Sequence, residues 1–211
     1  MNTQIIQIDP RKIDMLQIEK IVRILKKDGV IVFPTETFYG LGASCFSSVA
    51  VNKIYDLKGR DRQKPLSVVI ADLEMLDGIT AHIPPVVERI VEEFWPGPLT
   101  LILAGGSHLP SILLGPKKTI GVRLPAHAWL RELVRTAGFP LTATSANLAG
   151  EKEISDPCDV IDVFSGKVEM IVDAGPTTGG LPSTVLDLTL KKPQILREGA
   201  VSASNLQMYL K

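Results

Sequence analysis

The 211-residue sequence predicts an α/β fold built on a mixed sheet. Two observations carry this. Short apolar runs suited to strands alternate with longer segments whose apolar residues recur every three or four positions, and such interleaving is the mark of α/β architecture. Strand-like runs also follow one another without a helix near the C-terminus, and proline punctuates the chain, which favours a mixed sheet over an all-parallel one.

The elements follow in order. Ile18, Ile21, Val22 and Leu25 recur at helical spacing, and Asp28-Gly29 stops that helix. Val30 to Phe33 forms a strand ended by Pro34, and Thr35 to Gly42 reads as a glycine-containing loop. A second helix carries Val51, Ile54, Tyr55 and Leu57 into a basic stretch, and Leu66 to Ile70 is another strand. Pro84-Pro85 opens a helix through Val87, Ile90, Val91 and Phe94, because a first-turn residue needs no N–H donor. Leu99 to Leu103 is a strand, and Ala104 to Lys118 is irregular. Thr119 to Leu124 is a strand. A helix with Trp129, Leu130, Leu133 and Val134 follows, stopped by Gly138. Leu141 to Thr144 is a strand, Ser155-Asp156-Pro157 starts a helix, and Met170 to Asp173, Thr184 to Leu188 and Gln194 to Arg197 are strands.

With 45% hydrophobic residues the chain can bury a sizeable core, and its length fits a single domain over residues 1–211. Lys plus Arg and Asp plus Glu balance at 23 each, so no overall field attracts nucleic acid. Cys45 and Cys158 show no paired spacing and read as reduced, small core residues. The N-terminus lacks the basic and apolar blocks of a signal peptide, and no apolar run approaches the roughly 20 residues that span a bilayer. A cytoplasmic protein with no membrane association is expected.

Two polar stretches carry the chemistry. Lys58, Arg60, Arg62 and Lys64 alternate, so in extended form they share one side; they suit either a polyanion or a solvated loop. Thr142 to Asn147 places hydroxyls and an amide at a strand end, where α/β sheets bind ligands, although Ser and Asn also cap helices. Alternation along the strand from Thr119 puts Thr119, Gly121 and Arg123 on one face. Such an arginine pairs with a substrate anion, pairs with a structural carboxylate, or lies exposed. The glycines of Gly40-Leu41-Gly42 do not complete a dinucleotide fingerprint. No Walker-type loop or Gly-x-Ser-x-Gly elbow occurs, and His82, His108 and His127 lack metal-ligand spacing.

Five segments in order resemble the YrdC/TsaC family, the threonylcarbamoyl-AMP synthases: Val32 to Gly42, Lys58-Gly59-Arg60 through Leu66, Ser145-Ala146-Asn147, Pro182 to Val185, and Arg197-Glu198-Gly199. The resemblance implies a single α/β domain with a twisted, mixed sheet flanked by helices around a deep, positively lined cavity. It implies synthesis of threonylcarbamoyl-adenylate and pyrophosphate from L-threonine, bicarbonate and ATP, with Mg²⁺ accompanying the ATP. The product would serve threonylcarbamoylation of the adenosine at position 37 of tRNA through a partner transferase complex. Carried over by position, Thr35, Thr37, Arg123, Ala143 and Ser183 are implied threonine contacts. Lys58, Arg60, Lys64, Thr119, Ser145, Asn147 and Arg197 are implied ATP contacts, with Lys58 and Arg60 as the catalytic cations and no protein metal ligand. The chain departs from the pattern at Ala149, where relatives carry a second serine, and at Lys64 and Val69, where they can carry Asn and His. Its length suggests the short form without a second domain. The alternative is an RNA-binding module of the same fold without synthase activity, though aromatics at 5% make a poor stacking platform.

Overall fold

The computed structural model describes residues 2–209. In chain order the elements are β1 (Gln4–Gln7), α1 (Met15–Leu25), β2 (Ile31–Pro34), β3 (Tyr39–Gly42), α2 (Ser48–Lys58), β4 (Ser67–Val69), α3 (Glu74–Asp77), β5 (Thr80–His82), α4 (Val86–Phe94) and β6 (Leu99–Gly105). They continue with α5 (Ser111–Leu114), β7 (Thr119–Arg123), α6 (Ala128–Ala137), β8 (Leu141–Ser145), α7 (Pro157–Phe164), β9 (Met170–Asp173), β10 (Thr184–Asp187), β11 (Gln194–Arg197) and α8 (Ala203–Leu206). A 3₁₀ turn, Gln207–Tyr209, follows.

The strands form one mixed sheet in the order β1-β9-β2-β3-β8-β4-β7-β6-β10-β11, with β5 added beside β6. The β1–β9, β2–β9, β4–β7 and β6–β10 pairs are parallel, whereas β3, β8 and β6 run antiparallel to their neighbours β2, β4 and β7. The mixed sheet expected from the sequence is therefore what forms. One strand, β8, joins the two halves of the sheet: Thr144 and Ser145 pair with β3, Leu141 to Ala143 pair with β4, and Leu141 and Thr142 also bond Ser44 and Ala43 just beyond β3.

Alternation explains the two layers. On β2, Val32 faces one apolar cluster and Ile31 and Phe33 face the other; on β9, Ile171 opposes Met170 and Val172 in the same way. The second cluster is closed by α1 and α6, which pack against each other through Ile18, Ile21, Val22 and Leu25 and through Trp129, Leu130, Leu133 and Val134. The first takes Val51 and Ile54 of α2, Ile90 of α4 and Phe164 of α7. Side-chain caps start the helices: Asp14 accepts from Leu16 and Gln17 N–H, Ser47 from Ala50 N–H, and Asp156 from Cys158 N–H just before Pro157. Gly59 (φ 60°) and Gly138 (φ 79°) end α2 and α6 in the left-handed conformation that glycine tolerates best.

The structure departs from the sequence reading at several places. Tyr39–Gly42, taken as loop, is strand β3, antiparallel to β2. The sequence reading also omitted β1, α3, β5 and α8, and α5 interrupts the stretch taken as irregular. Cys45 is buried as expected, but Cys158 is exposed. The reason is helical phase: α7 buries Pro157, Val160 and Phe164, and position 158 falls off that stripe. No helix among the described residues is long and apolar enough to cross a membrane.

Candidate active site

A cavity of about 330 Å³ opens at the strand ends. Its wall draws on the β2–β3 turn (Thr35, Glu36, Thr37), the segment after α2 (Arg60), β6 and β7 (Thr100, Arg123), β8 (Ala143, Thr144, Ser145) and the β10–β11 region (Ser183, Arg197). Three guanidinium groups from remote parts of the chain thus share one hollow. Burial is the main influence lowering the pKa of Arg60 and of Arg123, and the charge of Arg197 lowers each further.

Each side chain is positioned by local structure. Thr35 staples the turn after β2: its hydroxyl donates to Phe38 O at 2.6 Å and accepts from the N–H groups of Thr37 and Phe38. A second layer of bonds comes from the 174–182 segment, where Thr178 Oγ1 donates to Glu36 O at 2.5 Å and Gly179 N–H to Thr37 O at 2.7 Å. Arg60 braces its own turn, with Nε donating to Lys64 O at 3.2 Å and Nη2 to Pro65 O at 3.0 Å. Arg197 donates through Nε and Nη2 to Ser183 O and through Nη2 to Ser183 Oγ, and that hydroxyl lies 2.9 Å from Thr100 Oγ1.

Arg123 is paired inside the cavity. Nε donates to Gly97 O at 3.0 Å and Nη2 to Glu36 Oε1, an oxygen that also accepts from Ala126 N–H at 3.2 Å. The structural-carboxylate alternative weighed from the sequence is therefore realised here, yet both partners line the cavity. Alternation along β7 holds as well. A Cβ on Gly121 would lie 2.6 Å from Ser67 Oγ and 3.2 Å from Ile102 Cδ1, and both of those residues line the hollow.

Not every residue singled out from the sequence reaches that wall. The extended cationic ladder does not form, because α2 continues through Lys58 and Gly59 turns the chain. Arg62 folds back onto Asn52 and Asp56, and the Lys64 side chain is exposed. Thr119 shares the face of Arg123 but stands four residues along β7, about 13 Å away, and does not line the cavity. Lys58 is 3% exposed and faces inward. Its Nζ donates to Ser145 O, to Asn147 O at 2.6 Å and to Asn147 Oδ1 at 3.0 Å, so it ties down the end of β8. Burial, then the charge of Arg60, pulls its pKa down from 10.5 to about 8. Asn147 in turn accepts from Ser145 Oγ at 2.6 Å and lines a neighbouring shallow hollow with Phe38, Ser145 and Glu153. Glu36, Ser67, Thr100 and Glu153 are wall residues to which sequence reasoning gave no role. For Ser67 and Thr100 the signal was a single hydroxyl inside an otherwise apolar strand.

Among the described residues no group of three or more His, Cys, Asp or Glu side chains could hold a metal ion. The arrangement suits a ligand with several anionic groups and at least one hydroxyl, held by forked donors in a partly desolvated site.

Comparison with known proteins agrees. The Sua5/YciO/YrdC family model, described as "Telomere recombination", matches residues 23–199. A threonylcarbamoyl-AMP synthase of Pyrococcus abyssi is 38% identical over 183 residues, covering 87% of this chain and 54% of that protein. The structure of P. abyssi Sua5 complexed with L-threonine superposes with a TM-score of 0.93 at 36% identity, over 98% of this chain and 60% of that one. Escherichia coli YciO superposes with a TM-score of 0.88 at 31% identity, over 96% and 98% of the two chains. The chain spans about half the length of the P. abyssi synthase and of a threonylcarbamoyl-AMP synthase of Bacillus subtilis. On the extent of the family match and of these likenesses, the chain belongs to the Sua5/YciO/YrdC family.

Proposed function

We propose that this chain forms threonylcarbamoyl-AMP and pyrophosphate from L-threonine, bicarbonate and ATP. The observation that carries the reading is the convergence of Arg60, Arg123 and Arg197 with the Thr37, Ser145 and Ser183 hydroxyls on one cavity. The names of the relatives point the same way.

In the proposed reaction the threonine amine loses a proton and forms an N–C bond to the carbon of bicarbonate, giving a carbamate and water. A carbamate oxygen then attacks the α-phosphorus of ATP, and the bond to the leaving pyrophosphate breaks with its electron pair. The protein's contribution is positioning and charge stabilisation rather than covalent chemistry. Arg123 is the proposed holder of the threonine carboxylate, with Thr37 and Ser183 beside it and the Ala143 backbone on the adjoining wall. Arg60 and Arg197 are proposed to face the phosphates, each already fixed by bonds to its own backbone surroundings. Ser145 and Asn147, held by Lys58, are proposed to complete the nucleotide end. Mg²⁺ brought with ATP and held through its phosphate oxygens would neutralise charge on the leaving group. The product is an activated acyl-phosphate, so the reaction that consumes it is transfer to an amine, which we assign to a tRNA adenosine and a separate transferase complex.

The test is pyrophosphate release with threonine, bicarbonate or ATP omitted in turn. Dependence on all three is expected. Release that persists without threonine would overturn the proposal.

A further inference from the structure

An α-amino acid carries its ammonium one carbon away from its carboxylate. Whatever reads the ammonium must therefore stand next to the guanidinium that reads the carboxylate. Two carboxylates line the cavity, Glu36 and Glu153. Glu153 also lines the neighbouring hollow with Ser145 and Asn147, its charge is felt by Lys58, and it makes no ion pair with Arg123. Glu36 is in direct contact with Arg123.

The state of the Glu36 carboxylate is informative. Oε1 takes both donors, Arg123 Nη2 and Ala126 N–H. Oε2 is buried and has no partner. A buried carboxylate oxygen without a donor is costly, and a ligand whose N–H groups reach it once the wall covering it yields removes that cost. The backbone on either side is held in place, with Glu36 O bonded to Thr178 and Thr37 O to Gly179, so the carboxylate does not depend on a free loop for its position. Arg123 is similarly prepared. Its bonds to Gly97 and Glu36 use Nε and Nη2 and leave Nη1 outside both.

We infer that Glu36 is the residue that recognises the α-ammonium group of the amino-acid substrate, so that Glu36 and Arg123 together read the zwitterion. The inference rests on the reading of this cavity as an amino-acid site. It adds a specificity-determining contact: an anion with no amino group satisfies Arg123 but leaves Glu36 Oε2 unpaired, whereas an amino acid satisfies both. Stray carboxylates and inorganic anions are thereby disfavoured, because Glu36 already neutralises the guanidinium they would seek.

The experiment is titration calorimetry at fixed pH, without nucleotide, on the wild-type chain and on Glu36→Gln. The ligands are L-threonine and 3-hydroxybutyrate of matching configuration, which keeps the carboxylate and hydroxyl and lacks the amine. The amide introduced by Glu36→Gln retains an acceptor for Arg123 and Ala126, and a thermal melt checks the fold. The wild-type chain should prefer threonine. The substitution should weaken threonine by about ten- to a hundred-fold, the worth of one charge-assisted contact, while 3-hydroxybutyrate binds as before or more tightly. Equal weakening of both ligands, or unchanged threonine binding, would overturn the role of Glu36 while leaving the site an amino-acid site. A wild-type chain that binds no threonine would remove the amino-acid reading itself. Should Glu36→Gln fail to fold, Glu36→Asp decides: it keeps the charge but withdraws it by one methylene, and the same selective loss of threonine is expected.

Discussion

Gly42 tests whether the cavity and the sheet are one mechanical object. In Gly42→Ala the new Cβ would lie 2.2 Å from Thr142 O and 2.6 Å from Phe33 Cε1. The first obstacle is backbone in the neighbouring strand and cannot rotate away. Relief to an ordinary contact requires β3 and β8 to part by roughly 1.2 Å, an overpacking that costs about 1–3 kcal/mol. That movement also strains the bonds joining the strands at this point, Thr142 N–H to Ala43 O at 2.8 Å and Ala43 N–H to Thr142 Oγ1 at 2.9 Å. Weakening them adds about 1 kcal/mol. The total of about 2–4 kcal/mol corresponds to a melting temperature lowered by roughly 5–15 °C in a chain of this size. Ala143, Thr144 and Ser145 follow Thr142 directly on the cavity wall, and an ångström-scale misplacement of such groups lowers turnover by up to about a hundred-fold. Differential scanning calorimetry and pyrophosphate release measure the two effects. A variant that melts within about 1 °C of wild type and turns over within twofold of it would refute the reasoning.

Three further outcomes are expected. Arg123→Lys keeps the charge but loses the fork, so KM for threonine should rise about ten-fold while KM for ATP stays unchanged; steady-state kinetics in each substrate separates them. Thr184→Val removes a buried hydroxyl that donates to Val201 O at 2.6 Å and accepts from Gly199 and Val201 N–H. Orphaning these groups should cost about 2–4 kcal/mol in a denaturant melt and loosen the turn that follows Arg197. For Lys58 the pH dependence has a definite sign. Unfolded, the amine keeps its proton to about 10.5, and folded only to about 8, so between these values the unfolded chain binds more protons and rising pH favours the folded state. Turnover should nevertheless fall through about pH 8, because a neutral amine has two N–H groups for three acceptors. A pH–rate profile should show this limb in wild type and lack it in Lys58→Arg, which stays charged.

Much of the fold was legible because strands such as Ile31–Pro34 and Met170–Asp173 are apolar runs, and helices such as α1 and α6 carry unbroken stripes between a cap and a stop. The strand β1 was not legible: Gln4-Ile5-Ile6-Gln7 lies exposed at a sheet edge and forms because β9 offers a free parallel edge. β3 was hidden by its own glycines, which are there because Phe33 and Thr142 leave no room for a side chain. In the site, Arg123 and Ser145 stood out by alternation and by their place at strand ends. The cationic ladder from Lys58 to Lys64 was misread because period-two spacing assumes an extended chain, and a left-handed glycine lay within it. Glu36 carried no local signal. Its meaning comes from Arg123, 87 residues away in sequence, and that proximity exists only once the sheet has closed.

The double attachment of β8 has a mechanical consequence. Thr37 and Ser145 belong to the wing that pairs at Thr144–Ser145, while Arg123, Ser183 and Arg197 belong to the wing that pairs at Leu141–Ala143. β8 therefore touches both jaws of the hollow, and the Ala43–Thr142 hydrogen bonds, the Ser44–Leu141 bridge and the Arg123–Glu36 pair tie them together as well. Prising the jaws apart would stretch these ties together with the rungs of β8, so substrate grip and backbone stiffness at this seam are a single property.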